Sequence, residues 1–237
     1  MSGLQMYEDL QRPEVMHHGA AAFYDLDGTL CSTNVVHSYA FYARNAPTIL
    51  GKFKKTSSLL ASIPFFLAAD FYSRKLFNEL FYRRYKGESE DRLAAMAQEL
   101  FHEVIKPSIF DQAYHLVSQS RRAGHRQVLV TGALDLLAKP FAEHMGIEYV
   151  LANQLEYVNG YATGRIQGEL VAGATKAAWI RRFTVEHRLD LESCFAYSDS
   201  MSDYPMLAVV GKPSVVNPDK RLKNIARQFD WPILKFS

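Results

Sequence analysis

Cysteine is scarce in this chain: Cys31 and Cys194 are the only two, far apart in sequence. Two distant thiols make no disulfide framework and suit a reducing compartment. Charge of one sign is equally lacking. Lys and Arg number 27 against 25 Asp and Glu, a formal +2, too small an excess to mark a nucleic-acid binder. Long apolar runs are missing too. The longest stretch of low polarity, residues 59–69, falls short of the roughly 20 residues that cross a bilayer. The opening MSGLQMYEDLQRPEV carries acids and no apolar stretch, so no secretory signal is expected. Repeats and low-complexity segments do not stand out. What the chain does have is length and aromatics: 237 residues with 15 Phe and 13 Tyr, enough for one large core or a domain with an inserted module. A soluble cytoplasmic protein without a nucleic-acid partner is the expectation.

Periodicity alternates between strand and helix. Residues 20–24 read as a short buried strand, and RQVLV (126–130) as a second, after a helix-like stretch at 110–122 that stops at Gly124. A helix near 134–145 and a strand near 148–151 follow. In LEYVNGYATGRI, Asn159-Gly160 supplies the positive φ values of a tight hairpin turn. Thr175 is placed to cap a helix reaching about His187. A strand at 194–197, a helix near 202–209 and a strand in PSVVN complete the series. This alternation predicts an α/β fold with a mostly parallel sheet covered by helices on both faces. Residues 34–106 break the rhythm. Leu93, Met96, Ala97, Leu100, Phe101 and Val104 share one helical face, and Gly87 before Ser89 marks a stop and a new cap. The expected organisation is a core from 1–33 and 107–237, with an all-helical module at 34–106 inserted in it.

Ligands of open α/β sheets sit beyond the carboxyl ends of the strands. Asp25 and Asp27 follow the first predicted strand, Thr131 and Gly132 the second, and Asp199 and Asp203 the CFAY strand; Lys176 opens a helix. Carboxylates from separate strands suit Mg2+, a hard ion that keeps several waters. A lysine, a hydroxyl and backbone N–H groups suit a phosphate. With the phosphoryl group held so, one aspartate can attack phosphorus, and the other can protonate the leaving oxygen and then activate water.

In that order DLDGTL, VTGA, Lys176 and SDSMSD resemble the four motifs of the haloacid dehalogenase superfamily of phosphatases. The stretch between the first two resembles the helical cap of its phosphoserine-phosphatase-like branch. The resemblance implies a Rossmann-like core and a phosphomonoesterase acting through an aspartyl-phosphate on a small or amphiphilic phosphate ester. It implies Asp25 as nucleophile and Asp27 as general acid/base. Mg2+ would be held by the Asp25 carboxylate, the Asp27 backbone carbonyl and Asp199. Thr131, Gly132 and Lys176 would bind phosphate, with Asp203 orienting the metal site or Lys176, and Ser202 near the metal.

Plainer readings exist beside these. Asp25 and Asp27 could form a polar turn, Asp199 and Asp203 a favourable helix N-terminus, Lys176 a surface lysine, and Thr131 a cap. His17 and His18 read as loop residues and Cys31 as a small buried filler. A phosphotransferase, with an alcohol replacing water, and a phosphate-binding non-enzyme are the alternative functions. Lys52, Lys54 and Lys55 before the apolar run, with Arg83, Arg84 and Lys86 after it, could meet a lysolipid-like substrate or a membrane surface. Core packing, with Pro64 starting a helix, is the favoured reading of that run. Arg44, Arg83 and Arg84 are candidates to reach substrate.

Relatives in the resembled branch carry a glutamate nine residues past the nucleophile, reading an ammonium group; here Asn34 is neutral, and Gly28 replaces a common serine. Losing one charge-assisted contact costs roughly 1.5–3 kcal/mol. Free phosphoserine is therefore expected to show a kcat/KM about ten- to a hundredfold below the best compound of a broad phosphate-ester screen. Asn34→Glu should raise it. Phosphoserine heading the screen would contradict this reading.

Overall fold

The computed structural model describes residues 19–46, 48–72 and 74–237. His17, His18 and the rest of the leader lie outside the described residues. The first strand, β1 (Ala21–Tyr24), is wholly buried because parallel neighbours flank it on both edges. Helices α1 (Val35–Arg44), α2 (Ile49–Tyr72), α3 (Arg74–Tyr82), α4 (Glu90–Leu100) and α5 (Asp111–Arg122) follow. Then come β2 (Arg126–Leu134), α6 (Asp135–Met145), β3 (Tyr149–Asn153), β4 (Leu155–Val158) and β5 (Tyr161–Ile166). The remainder is α7 (Ala174–Glu186), β6 (Phe195–Ser198), α8 (Tyr204–Ala208), β7 (Lys212–Val216), α9 (Lys220–Gln228) and β8 (Ile233–Leu234).

Six strands form one parallel sheet in the order β3-β2-β1-β6-β7-β8. The chain winds outward from β1 in one direction and from β6 in the other. Their carboxyl ends therefore diverge at a switch point between β1 and β6, which opens a crevice there. The Rossmann-like parallel sheet flanked by helices is as expected. Two apolar clusters cover its faces, one including Tyr24, Leu129 and Phe141, the other Phe23, Val130 and Ile180.

Several local expectations are corrected. β2 runs on to Leu134, with a register shift between Val130 and Leu134 that a strand ending at Val130 did not anticipate. Thr175 does not cap α7; Gly173, at φ 55°, is the cap residue, because the chain enters that helix through a left-handed turn. Pro64 lies inside α2 rather than starting a helix, where it removes one backbone donor from the ladder. α9, capped by Asp219, and the short β8 have no counterpart in the sequence reading.

The segment from α1 to α4 is helical, and Ser89 caps α4 as its sequence foretells. Its interior is aromatic: Phe77 and Phe81 stack at 5.5 Å, and Phe66, Tyr39, Tyr82 and Tyr85 close around Phe81. The apolar run in α2 divides. Leu59 and Phe66 are buried, whereas Phe53, Leu60 and Phe65 are exposed. No described helix is long and apolar enough to cross a membrane. The β4–β5 hairpin stands apart from the main sheet and pairs with the loop before α4. The Gly87 N–H donates to the Ala162 carbonyl (2.8 Å), and that of Ala162 to Glu88 (2.9 Å).

Phe81 has no exposed surface at the centre of the aromatic cluster. Phe81→Ala is expected to lower stability by about 3–5 kcal/mol through lost burial and a residual cavity. Urea unfolding measures this, and a change below about 1 kcal/mol would show that the cluster does not hold the helices together.

Candidate active site

Leaving β1, the chain turns back on itself at once. The N–H groups of Thr29, Leu30 and Cys31 all converge on the Leu26 carbonyl at 3.0–3.2 Å, and the Gly28 N–H donates to Cys31 at 2.8 Å. This loop sends Asp25 down toward the sheet and holds Asp27 half-buried beside it. Gly28 sits at φ 82°, and a Cβ there would stand 2.3 Å from Asp199 Oδ2. The positive φ favours glycine, and a larger residue there would require the Asp199 carboxylate to shift.

Lys176, in the first turn of α7, is 3 % exposed. Its Nζ donates to Asp25 Oδ1 at 2.6 Å and to Asp203 Oδ2 at 2.7 Å. Ser198 Oγ donates to the same Asp203 oxygen at 2.8 Å. Burial alone would lower the lysine pKa, but the two carboxylates outweigh it and hold the ammonium above its ordinary range. The Thr29 hydroxyl lies 3.3 Å from both Asp25 Oδ2 and Asp199 Oδ1, its one hydrogen shared between them. Asp199 is pushed up to about 8, first by burial and then by the charges of Asp25 and Asp203. The carboxylates therefore outnumber the positive charge set among them.

A cavity of about 450 Å³ covers this cluster. The residues expected to serve catalysis, phosphate or metal all line it: Asp25, Asp27, Thr131, Gly132, Lys176, Asp199, Ser202 and Asp203. The Thr131 hydroxyl accepts from the Ala133 N–H at 3.0 Å within β2, so it shapes a strand end rather than capping a helix. The Gly132 carbonyl takes Asn153 Nδ2 at 2.8 Å and the Tyr82 hydroxyl from α3. Ser202 Oγ pairs with Ser200 Oγ at 3.0 Å. Cys31 is buried, and burial pushes its thiol up to about 12, as befits a filler.

The cap arginines do not arrive. Arg44 pairs with Glu103 and lines a separate, more apolar cavity of about 490 Å³ that shares only Ser32 and Thr33 with the first. Arg84 packs over Phe66 and donates to the Ser58 carbonyl. Arg83 faces a third cavity beside Gly164. Among the described residues Lys176 is the one Lys or Arg lining the site. Asn34 stands at its rim and accepts from the N–H groups of Val36 and His37, capping α1. Sequence reasoning missed Thr33, which donates to Asp27, as well as Asp219 and Asn78. Thr29 was in plain view within DLDGTL; Asn78, a lone polar residue in a helix, left no signal.

A parallel sheet with acids from three loops and one buried lysine at its switch point defines a class of hydrolase, and comparison names it. The model of the haloacid dehalogenase-like hydrolase family matches residues 22–208. The chain belongs to this family. It is 36 % identical over 151 residues to phosphoserine phosphatase SerB1 of Mycobacterium tuberculosis, covering 64 % of this chain and 49 % of that protein. The chain thus spans about half the length of that relative. A probable phosphatase of the same organism is 30 % identical over 220 residues, 92 % of this chain and 75 % of its own. A solved structure, a protein of unknown function from Bordetella pertussis Tohama I, superposes with a TM-score of 0.79 at 26 % identity, over 91 % of this chain and 98 % of that one.

Lys176→Met leaves two buried carboxylates without their cation, so a stability loss of about 3–5 kcal/mol is expected in denaturant unfolding. An unchanged midpoint would mean that the ion pairs contribute nothing to the fold.

Proposed function

We propose that this chain is a Mg2+-dependent phosphomonoesterase working through an aspartyl-phosphate on Asp25. The observation that carries the reading is the grip on Asp25: Lys176 holds one carboxylate oxygen and Thr29 approaches the other, at the floor of a cavity lined by acids and hydroxyls. A carboxylate so oriented is preset for in-line attack.

The donor set fits a hard cation. Asp25 and Asp199 share one hydroxyl, and Asp199, raised first by burial and then by the charges of Asp25 and Asp203, would be relieved by positive charge between them. Among the described residues no group of three His, Cys, Asp or Glu side chains is placed to hold a metal. Two carboxylates and the Asp27 backbone carbonyl suffice for an ion that keeps several waters. Bound there, Mg2+ would neutralise phosphoryl charge.

The chemistry then belongs to the side chains. Asp25 attacks phosphorus, and the bond to the ester oxygen breaks as Asp27 delivers it a proton. Asp27 next takes a proton from water, which attacks the phosphoaspartate and releases phosphate and free Asp25. Lys176 and the Thr131–Gly132 strand end hold the phosphoryl oxygens, while Asp203 and Ser198 keep Lys176 in place. Residues 34–106 serve as a cap over the cavity. An alcohol in place of water would make the same intermediate a phosphotransferase, and loss of turnover would leave a phosphate binder; the intact Asp25–Asp27 pair supports hydrolysis. The substrate is a small phosphorylated molecule. The adjoining apolar cavity around Phe41 and Leu59 is what favours a second reading, an amphiphilic ester.

Hydrolysis of p-nitrophenyl phosphate with Mg2+ tests the proposal. Asp25→Asn should abolish turnover by at least about a thousandfold in a folded protein. Chelator should silence the wild type and added Mg2+ restore it, with Asp199→Ala demanding far more of the ion. Activity that survives in folded Asp25→Asn, or through exhaustive chelation, would refute the mechanism.

A further inference from the structure

Asn78 is the outlier of the site. It projects from α3, is 1 % exposed and lines the same cavity as Asp25 and Asp27. Neither its Nδ2 nor its Oδ1 has a hydrogen-bond partner among the described residues. Native folds seldom bury both ends of an amide dipole unpaired, and such a group calls for an explanation. Swapping the amide nitrogen and oxygen changes nothing here, since both are orphaned.

Its position is held firmly. Tyr82 stands one helical turn further along α3, on the same face, and its hydroxyl donates to the Gly132 carbonyl. Asn153 Nδ2 donates to that carbonyl from the other side, while its Oδ1 accepts from the Val171 N–H at 2.8 Å. Asn78 Nδ2 lies 3.2 Å from where a Cβ on Gly132 would stand, so the amide rests against the strand end proposed to hold phosphate. The other cavity walls are mainly acids, hydroxyls and glycines, with the Asn34 amide at the rim, Val171 and Ala172 beside it, and Lys176 their one cation among the described residues.

We propose that Asn78 is the specificity-determining residue through which the helical segment reads the substrate, and that the substrate's leaving group carries a hydroxyl or amine close to the ester oxygen. This rests on the phosphatase reading of the site. The oxygens of a phosphate dianion only accept, so they satisfy the amide N–H groups and leave Oδ1 unmet. The remaining donor comes from the alcohol half of the ester. No second cation faces the cavity from the described residues, so a carboxylate on that half finds no counter-charge there.

The test uses non-hydrolysable probes, so that binding is read apart from turnover. Calorimetry with Mg2+ compares 3-hydroxypropylphosphonate, which offers a donor, with n-propylphosphonate, which does not. The wild type is expected to bind the hydroxyl probe about tenfold more tightly. Asn78→Leu, close to isosteric and free of the orphaned dipole, is expected to erase that difference while melting no lower than wild type. Equal affinity of the wild type for both probes would overturn the proposal without any variant, and so would discrimination that persists in Asn78→Leu. Discrimination of the probes without hydrolysis of the matching 2-hydroxyethyl phosphate would keep Asn78's role and refute the phosphatase reading alone.

Discussion

One buried ammonium organises this molecule. Lys176 reaches from α7 between Asp25 and Asp203 and touches both within 2.7 Å. A lysine so enclosed is costly unless its charge is met, and two carboxylates from different strand ends meet it. The same contacts join three separate pieces of chain: the loop after β1, the turn after β6 and the start of α7. They orient Asp25 and leave Asp199 short of a counter-charge. The proposed cation site and the proposed nucleophile thus rest on one arrangement.

Much of this was legible because the sheet writes its ends clearly. An apolar run terminating in two acids, as at Tyr24–Asp27, has few explanations in a buried parallel strand. The spacing of VTGA and SDSMSD then places Thr131, Gly132, Asp199 and Asp203 at neighbouring ends of the same sheet. Lys176 was legible only by its company, since an isolated lysine ordinarily reads as solvated. The hairpin turn at Asn159-Gly160 announced itself through two positive φ values, now seen at 51° and 77°.

What stayed hidden depends on tertiary contact. Nothing in NELFY tells Asn78 from a surface asparagine; the fold buries it by docking Tyr82 onto Gly132. The arginines at 44, 83 and 84 looked available for substrate because charge is easily read along a sequence, whereas direction is not. Each finds a role elsewhere: an ion pair, a third cavity's wall, an aromatic face. The β4–β5 hairpin was recognised as a hairpin, but its backbone pairing with residues 87–90 was not foreseen, since register with a distant loop leaves no periodic trace. Through that pairing the helices between β1 and β2 are tied to the β4–β5 hairpin, and through the Tyr82 contact to β2 of the main sheet.

The central claim is that Asp25 carries the phosphoryl group between substrate and water, and its most direct test is to catch it there. Turnover of a phosphate ester labelled at phosphorus would be quenched in acid, the protein digested and the label mapped by mass spectrometry. Label on the peptide bearing Asp25, at Asp25 itself and lost on treatment with hydroxylamine, is the expected result. Hydrolysis that proceeds with no label on the protein, or with label on another residue, would contradict the account.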